Sequence, residues 1–222
     1  DGKTLAAGGY QEVVIWDLAS ATLSRRLGFD KLGGPVYALA FDKEGQQLAV
    51  GEGVPQASGA VRIFDLATGE VVASFEEPTD VVYCLALSPD GKLLAAGGAY
   101  APVHVWELAE KKLAHTIDGH GSWVLSVAFS PDGKFLATGS ADKTVRVWEV
   151  GAFQPVVKMQ QADAVRGVRF SPDGQSLAFV VGGPKERAVR FPKLTDLQRY
   201  AAANPAQQRN IARQIRPINV GA

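Results

Sequence analysis

Within one short stretch, His120, Thr138, Asp142 and Trp148 have the residue types to do chemistry. A carboxylate, an imidazole and a hydroxyl are the parts of an activated nucleophile. The carboxylate orients the imidazole, the imidazole takes the hydroxyl proton, and the oxygen attacks an acyl carbon. Cys84, the one cysteine, has no histidine at a predictable partnering place and reads as a small buried hydrophobe. His104 and His115 are scattered; three histidines with one cysteine do not compose a zinc set, so no metal or other cofactor is expected. The sequence holds no GxxxxGK(S/T), HExxH or GxSxG, and no CxxCH that would attach a haem within this chain.

The chain has 222 residues, enough for one large core or two small ones. Lys+Arg and Asp+Glu are balanced at 23 each, which argues against a general nucleic-acid or membrane-surface binder. A single cysteine excludes an internal disulfide. No apolar run reaches the ~18 residues needed to cross a bilayer, and the start lacks the pattern of a signal peptide. These features point to a soluble chain, in cytoplasm or periplasm.

What positions the candidate groups is a repeat. Ser-Pro-Asp-Gly ends at Gly91, Gly133 and Gly174, with degenerate forms at Gly2 and Gly45. The spacing is about 41 to 46 residues, a period of propeller blades rather than helical solenoids. In each turn Pro presets φ, Asp can bond its own backbone, and Gly accepts positive φ. Before the turn comes a run of small and apolar residues: 36–41, 82–87, 124–129 and 165–170. After it come a second run rich in Ala and Gly, a third ending at Trp16, Phe64, Trp106, Trp148 or Phe191, and a fourth after the first four of these. Four short antiparallel strands make a sheet that cannot hide both of its faces. Such sheets packed around an axis can, with the first strand innermost where small side chains fit.

These residues resemble the WD40 repeat family, over nearly the whole chain to about residue 191. The Ala-rich, Ser-Pro-Asp-Gly-Lys style looks like bacterial WD40 proteins. The resemblance implies an all-β propeller of about five four-stranded blades, at approximately 1–33, 34–79, 80–119, 120–162 and 163–217. It also implies that Asp142, His120, Thr138 and Trp148 are a structural tetrad, with no open nucleophile and no catalytic residue. Blade three offers only Trp106 and blade one only Trp16, so they must rely more on packing.

Residues 218–222, INVGA, look like a first strand cut before its turn, whereas the chain starts just after such a turn. Either the chain is part of a larger, seven-bladed propeller, as the missing initiator Met favours, or its last strand closes the ring by completing blade one. Residues 192–217 fit the repeat poorly and read as an irregular, basic insert. They hold candidate short helices at 197–203 and 207–214, or a fourth strand for blade five. No aromatic interleaving suggests a nucleic-acid arm there.

The residues at the head of each innermost strand should ring the channel mouth. Here they include Tyr37, Tyr83, Leu125 and Arg166, with Trp123 on the loop ahead of its strand. Tyr, Trp and Arg dominate interface energetics, and a loop Trp is costly to leave in water without use. The expectation is a non-catalytic scaffold that docks a protein or peptide on this rim. The alternative is the propeller portion of a larger bacterial enzyme or c-type cytochrome fusion, with neighbouring domains in the same chain and catalysis outside these residues.

Overall fold

A computed structural model of the chain describes residues 2–99, 102–182, 187–190, 193–195, 207 and 217–219. Among them nineteen strands form five antiparallel sheets, each with its strands in sequence order. The first sheet holds β1 (Thr4–Gly8), β2 (Val13–Asp17) and β3 (Thr22–Leu27). The second holds β4 (Val36–Phe41), β5 (Gln47–Val54), β6 (Ser58–Asp65) and β7 (Val71–Phe75). The third holds β8 (Val82–Leu87), β9 (Leu93–Gly98), β10 (Val103–Glu107) and β11 (Lys112–Ile117). The fourth holds β12 (Val124–Phe129), β13 (Phe135–Ser140), β14 (Thr144–Glu149) and β15 (Pro155–Gln160). The fifth holds β16 (Val165–Phe170), β17 (Leu177–Gly182), β18 (Arg187–Arg190) and β19 (Pro217–Asn219).

The turn sequence earns its geometry through its serine as well as its Pro, Asp and Gly. Ser88 Oγ donates to Asp90 Oδ1 at 2.6 Å and accepts the Leu93 N–H at 2.9 Å. Ser130 does the same with Asp132 and Phe135, at the same two distances. Gly91 and Gly133 stand at φ 70° and 72°, where a side chain would be strained. One short motif therefore closes the first hairpin of its blade from inside.

The sheets pack face to face by one rule, used four times. The Val/Ile face of one sheet receives the Leu/aromatic row of the next. Val13, Ile15 and Leu27 receive Leu48 and Phe64. Val61, Ile63 and Phe75 receive Leu94 and Trp106, and Phe75 stacks on Trp106 at 5.0 Å between ring centroids. Val103, Val105 and Ile117 receive Leu136 and Trp148, and Val145, Val147 and Met159 receive Leu177 and Phe179. Near the axis, innermost strands of successive sheets touch: β4 with β8, β8 with β12, and β12 with β16. That approach explains the glycines of the second strands. A Cβ on Gly97 would sit 2.5 Å from Val124 Cγ1, and one on Gly139 would sit 2.7 Å from Val165 Cγ1. Val180 takes the corresponding place in the fifth sheet and is 41% exposed.

Two expectations meet a different outcome. Residues 217–219 do not take the place of a first strand, nor do they complete the first sheet. They pair with Arg190, Val189 and Ala188 as the outer strand of the fifth sheet. The apolar pattern of a short strand does not state which edge it joins; the innermost place in that sheet is held by β16, and the edge of β18 was available. The first sheet is three-stranded, and its Leu/aromatic row is uncovered: Leu5, Trp16 and Leu23, paired across the strands, are 51%, 38% and 42% exposed. The helices expected at 197–203 and 207–214 lie outside the described residues, Gln207 apart, as does Phe191.

Candidate functional site

The tetrad of the fourth sheet is present and buried. The loop before β12 carries His120, β13 carries Thr138, the β13–β14 turn carries Asp142, and β14 carries Trp148. His120 Nδ1 lies 2.9 Å from Asp142 Oδ2, and Nε2 lies 2.7 Å from Thr138 Oγ1. Trp148 Nε1–H donates to that same Thr138 oxygen at 3.0 Å. One proton arrangement satisfies the set: indole to hydroxyl oxygen, hydroxyl to Nε2, Nδ1–H to carboxylate. Burial holds the His120 imidazole below its ordinary pKa against the pull of Asp142. At Asp142 burial works to raise the carboxyl, but bonds from Thr144, the Gly121 N–H and His120 outweigh it and hold it well below the usual carboxylate range.

This arrangement cannot perform acyl transfer. Thr138 is 0% exposed, and its oxygen is committed to both the imidazole and the indole. A nucleophile needs a reacting carbon within reach and donors aimed at the oxyanion, and Thr138 offers no room for either. The set therefore ties a loop and two strands of one sheet together.

Neighbouring sheets meet the same demand by other means, which the sequence reading missed. In the third sheet the place of Thr138 is taken by Ala96, and the Trp106 N–H donates instead to Glu77 Oε2 at 3.0 Å, a residue of the preceding loop. In the second sheet the buried carboxylate of Glu52 accepts the Gly34 N–H at 2.9 Å and Arg62 Nε–H at 2.8 Å. Arg62 goes on to bond Ser74 and Glu76. An acidic residue in the loop ahead of the innermost strand, or at the end of the Ala-Gly run, is the signal that could have pointed to both.

The heads of the innermost strands carry the other candidate residues. Each innermost strand of the second to fifth sheets has a β-bulge at its second residue, where the register skips one position. The skipped residues are Tyr37, Tyr83, Leu125 and Arg166. A bulge residue is left out of the ladder and its side chain is re-aimed, here into one cavity of about 460 Å³ that all four line. The Tyr37 and Tyr83 rings meet edge to face at 5.8 Å and 88°. Trp123 does not line that cavity; it leans on Tyr83 from the rim, with centroids 5.8 Å apart, and is 50% exposed. Three aromatics from three successive blades thus form one continuous run. Cys84, deeper in the same wall, donates weakly to the Gly97 and Val124 carbonyls, and burial pushes its thiol up to about 12. It is therefore no nucleophile at neutral pH. Among the described residues no three His, Cys, Asp or Glu side chains converge to hold a metal ion, and no helix is long and apolar enough to cross a membrane.

Residues 69–101 and 111–149 match the family model of the WD domain, G-beta repeat. Those segments are similar to WD40 repeats, and the fold is an all-β propeller. The chain is 31% identical to the periodic tryptophan protein 2 homolog of Dictyostelium discoideum, over 54% of its own length and 13% of that protein. It is 32% identical to the protein groucho of Drosophila melanogaster, over 50% of its length and 15% of that protein. To the transcription factor unc-37 of Caenorhabditis elegans it is 34% identical, over 50% and 18%. The chain thus spans under a fifth of each of these relatives. They are eukaryotic proteins, and nothing among them marks a bacterial type. A chain in the crystal structure of a mitotic checkpoint complex superposes with a TM-score of 0.77, at 24% identity, over 86% of this chain and 59% of that one.

Proposed function

We propose that this chain is a non-catalytic docking module that binds a protein or peptide at the mouth of its channel. The observation that carries the reading is the run Tyr37–Tyr83–Trp123 beside the cavity, with Tyr37 44% and Trp123 50% exposed. Large aromatic side chains left in water cost free energy unless a partner covers them, and they lose little conformational entropy when one does. The bulges set on rigid strands hold Tyr37 and Tyr83 in place before binding, so a partner need order little beyond itself. Similarity to a chain crystallised within a multiprotein complex agrees with such a role.

Panning a displayed random peptide library against the wild-type chain tests this. Peptides selected there should lose about tenfold or more in affinity for the Tyr83→Ala and Trp123→Ala variants, the size of a hot-spot loss. Selected peptides that bind both variants as tightly as the parent would sink the rim as the docking surface.

A further inference from the structure

The four bulge positions are not alike. Two are tyrosines, one is a leucine, and the fourth is Arg166. A second arginine, Arg169, lies deeper on the same strand, β16, and both line the cavity. No Asp or Glu is among the cavity's lining residues. The chain as a whole is neutral, so this positive wall is a local feature.

The two guanidiniums are held but not neutralised. Arg166 Nε–H donates to the Gly182 carbonyl at 3.0 Å, which leaves both Nη groups without a hydrogen-bond partner among the described residues. Arg169 Nη1 donates to the Val168 carbonyl at 2.8 Å, and more distantly to Val127 O and Ser126 Oγ, both at 3.4 Å. Carbonyl and hydroxyl acceptors fix an arginine's position without cancelling its charge. Elsewhere Arg26, Arg62 and Arg146 each have a carboxylate within 4.0 Å; Arg166 and Arg169 have none among the described residues. Around them the wall mixes polar and apolar groups, with Leu39 and Val180 among the latter. A guanidinium presents paired donors that match a carboxylate.

We propose that Arg166 and Arg169 form an anion-receiving pocket, into which an acidic side chain of the docked peptide inserts while its neighbours rest on Tyr37, Tyr83 and Trp123. This rests on the rim reading above and names the partner's chemistry: an acidic peptide with aromatic or apolar flanks. A planar carboxylate matches the paired donors of a guanidinium two for two.

Fluorescence anisotropy with four labelled decapeptides tests the pocket. Each alternates tyrosine with one other residue: glutamate, glutamine, lysine or phosphoserine. The glutamate peptide should bind at least about tenfold tighter than the glutamine one. That advantage should shrink in about 0.5 M salt, where charges are screened over a few ångström. Arg166→Gln and Arg169→Gln should each remove several-fold of it, the double variant should remove all of it, and Arg166→Lys should keep part. Thermal melts establish that each variant is folded. Equal binding of the glutamate and glutamine peptides, indifference to both arginine variants, preference for phosphoserine, or no binding by any peptide would overturn the proposal. The rim reading fails separately: Tyr83→Ala should weaken the glutamate and glutamine peptides alike. If Tyr83→Ala and Trp123→Ala change neither while the arginine variants remove the charge preference, the pocket stands and the rim does not.

Discussion

Removal of Asp142 is the most direct test of the hydrogen-bond chain in the fourth sheet. Its Oδ2 accepts from His120 at 2.9 Å and from the Gly121 N–H at 3.0 Å. Its Oδ1 accepts the Thr144 N–H at 2.8 Å and the Thr144 hydroxyl at 2.7 Å. In Asp142→Ala the His120 side chain, 1% exposed, keeps a buried N–H without its carboxylate. An unmet buried donor costs about 1–3 kcal/mol, and more when the lost acceptor was charged. Two features reduce the loss. Gly121 is exposed, so water can replace its bond, and Thr144 Oγ1 lies 3.2 Å from His120 Nδ1, where it can accept part of the time. The expected cost is therefore about 2 kcal/mol, in the middle of that range. In a domain of this size it lowers the melting temperature by about 4–8 °C. Asp142→Asn should cost about half as much, since an amide oxygen still serves Thr144. Its amide N–H facing Nδ1 inverts the imidazole, however, and strands the Thr138 hydroxyl proton, because that oxygen already accepts from Trp148. Adding Thr144→Val to the alanine variant should lower the melting temperature further. Circular dichroism melts of the parent and three variants measure all of this. An alanine variant that melts with the parent refutes the reasoning.

Glu52→Ala should cost about 1–3 kcal/mol in urea denaturation, because the buried Gly34 N–H and the Arg62 Nε–H lose their acceptor while Arg62 keeps Glu76; Glu52→Met with Arg62→Met should recover much of the loss. Trp106→Ala should cost about 3–5 kcal/mol, whereas Trp16→Ala, at the same repeat position but 38% exposed, should cost under about 1; equal costs would contradict the uncovered first sheet. Stability should fall in acid in two stages. Burial lowers the native pKa of His120 and His104 below 6.5, so as pH drops past that value the unfolded chain takes up protons that the native sites refuse. The native carboxyls of Asp142, Asp90 and Asp132 lie below 3.8, so their contribution is present above that pH and is lost as pH falls through it toward their native values. A urea midpoint that stays flat from about pH 7 to pH 5 would rule out the histidine stage.

Most of the architecture was legible because the information that sets it is local. The turn, the strand lengths and the tetrad all lie within one repeat, where spacing decides which groups can meet. Asp142, Thr138 and Trp148 are joined by a single hairpin, and that hairpin's register follows from the apolar alternation. That Tyr37, Tyr83, Leu125 and Arg166 share a place on the innermost strands was legible for the same reason, since they hold one repeat position. The bulge that turns them into the channel was not, because a skipped register leaves no mark in an apolar run. Glu77 was missed as the partner of Trp106 because it belongs to the preceding loop, and only packing brings it to the indole.

By itself, then, the sequence determined the period, the repeating strand unit and the closing turns, all consequences of short-range geometry. The tertiary structure decided what depends on neighbouring sheets and free edges. Trp148 is 2% exposed and Trp16 38%, although both end a third strand, because one has a sheet against it and the other does not. Residues 217–219 became an outer strand because β18 had an edge to offer. Arg166 and Arg169 became a shared positive wall because strand β16 faces the same cavity as three other innermost strands, a relation no spacing within one repeat can express.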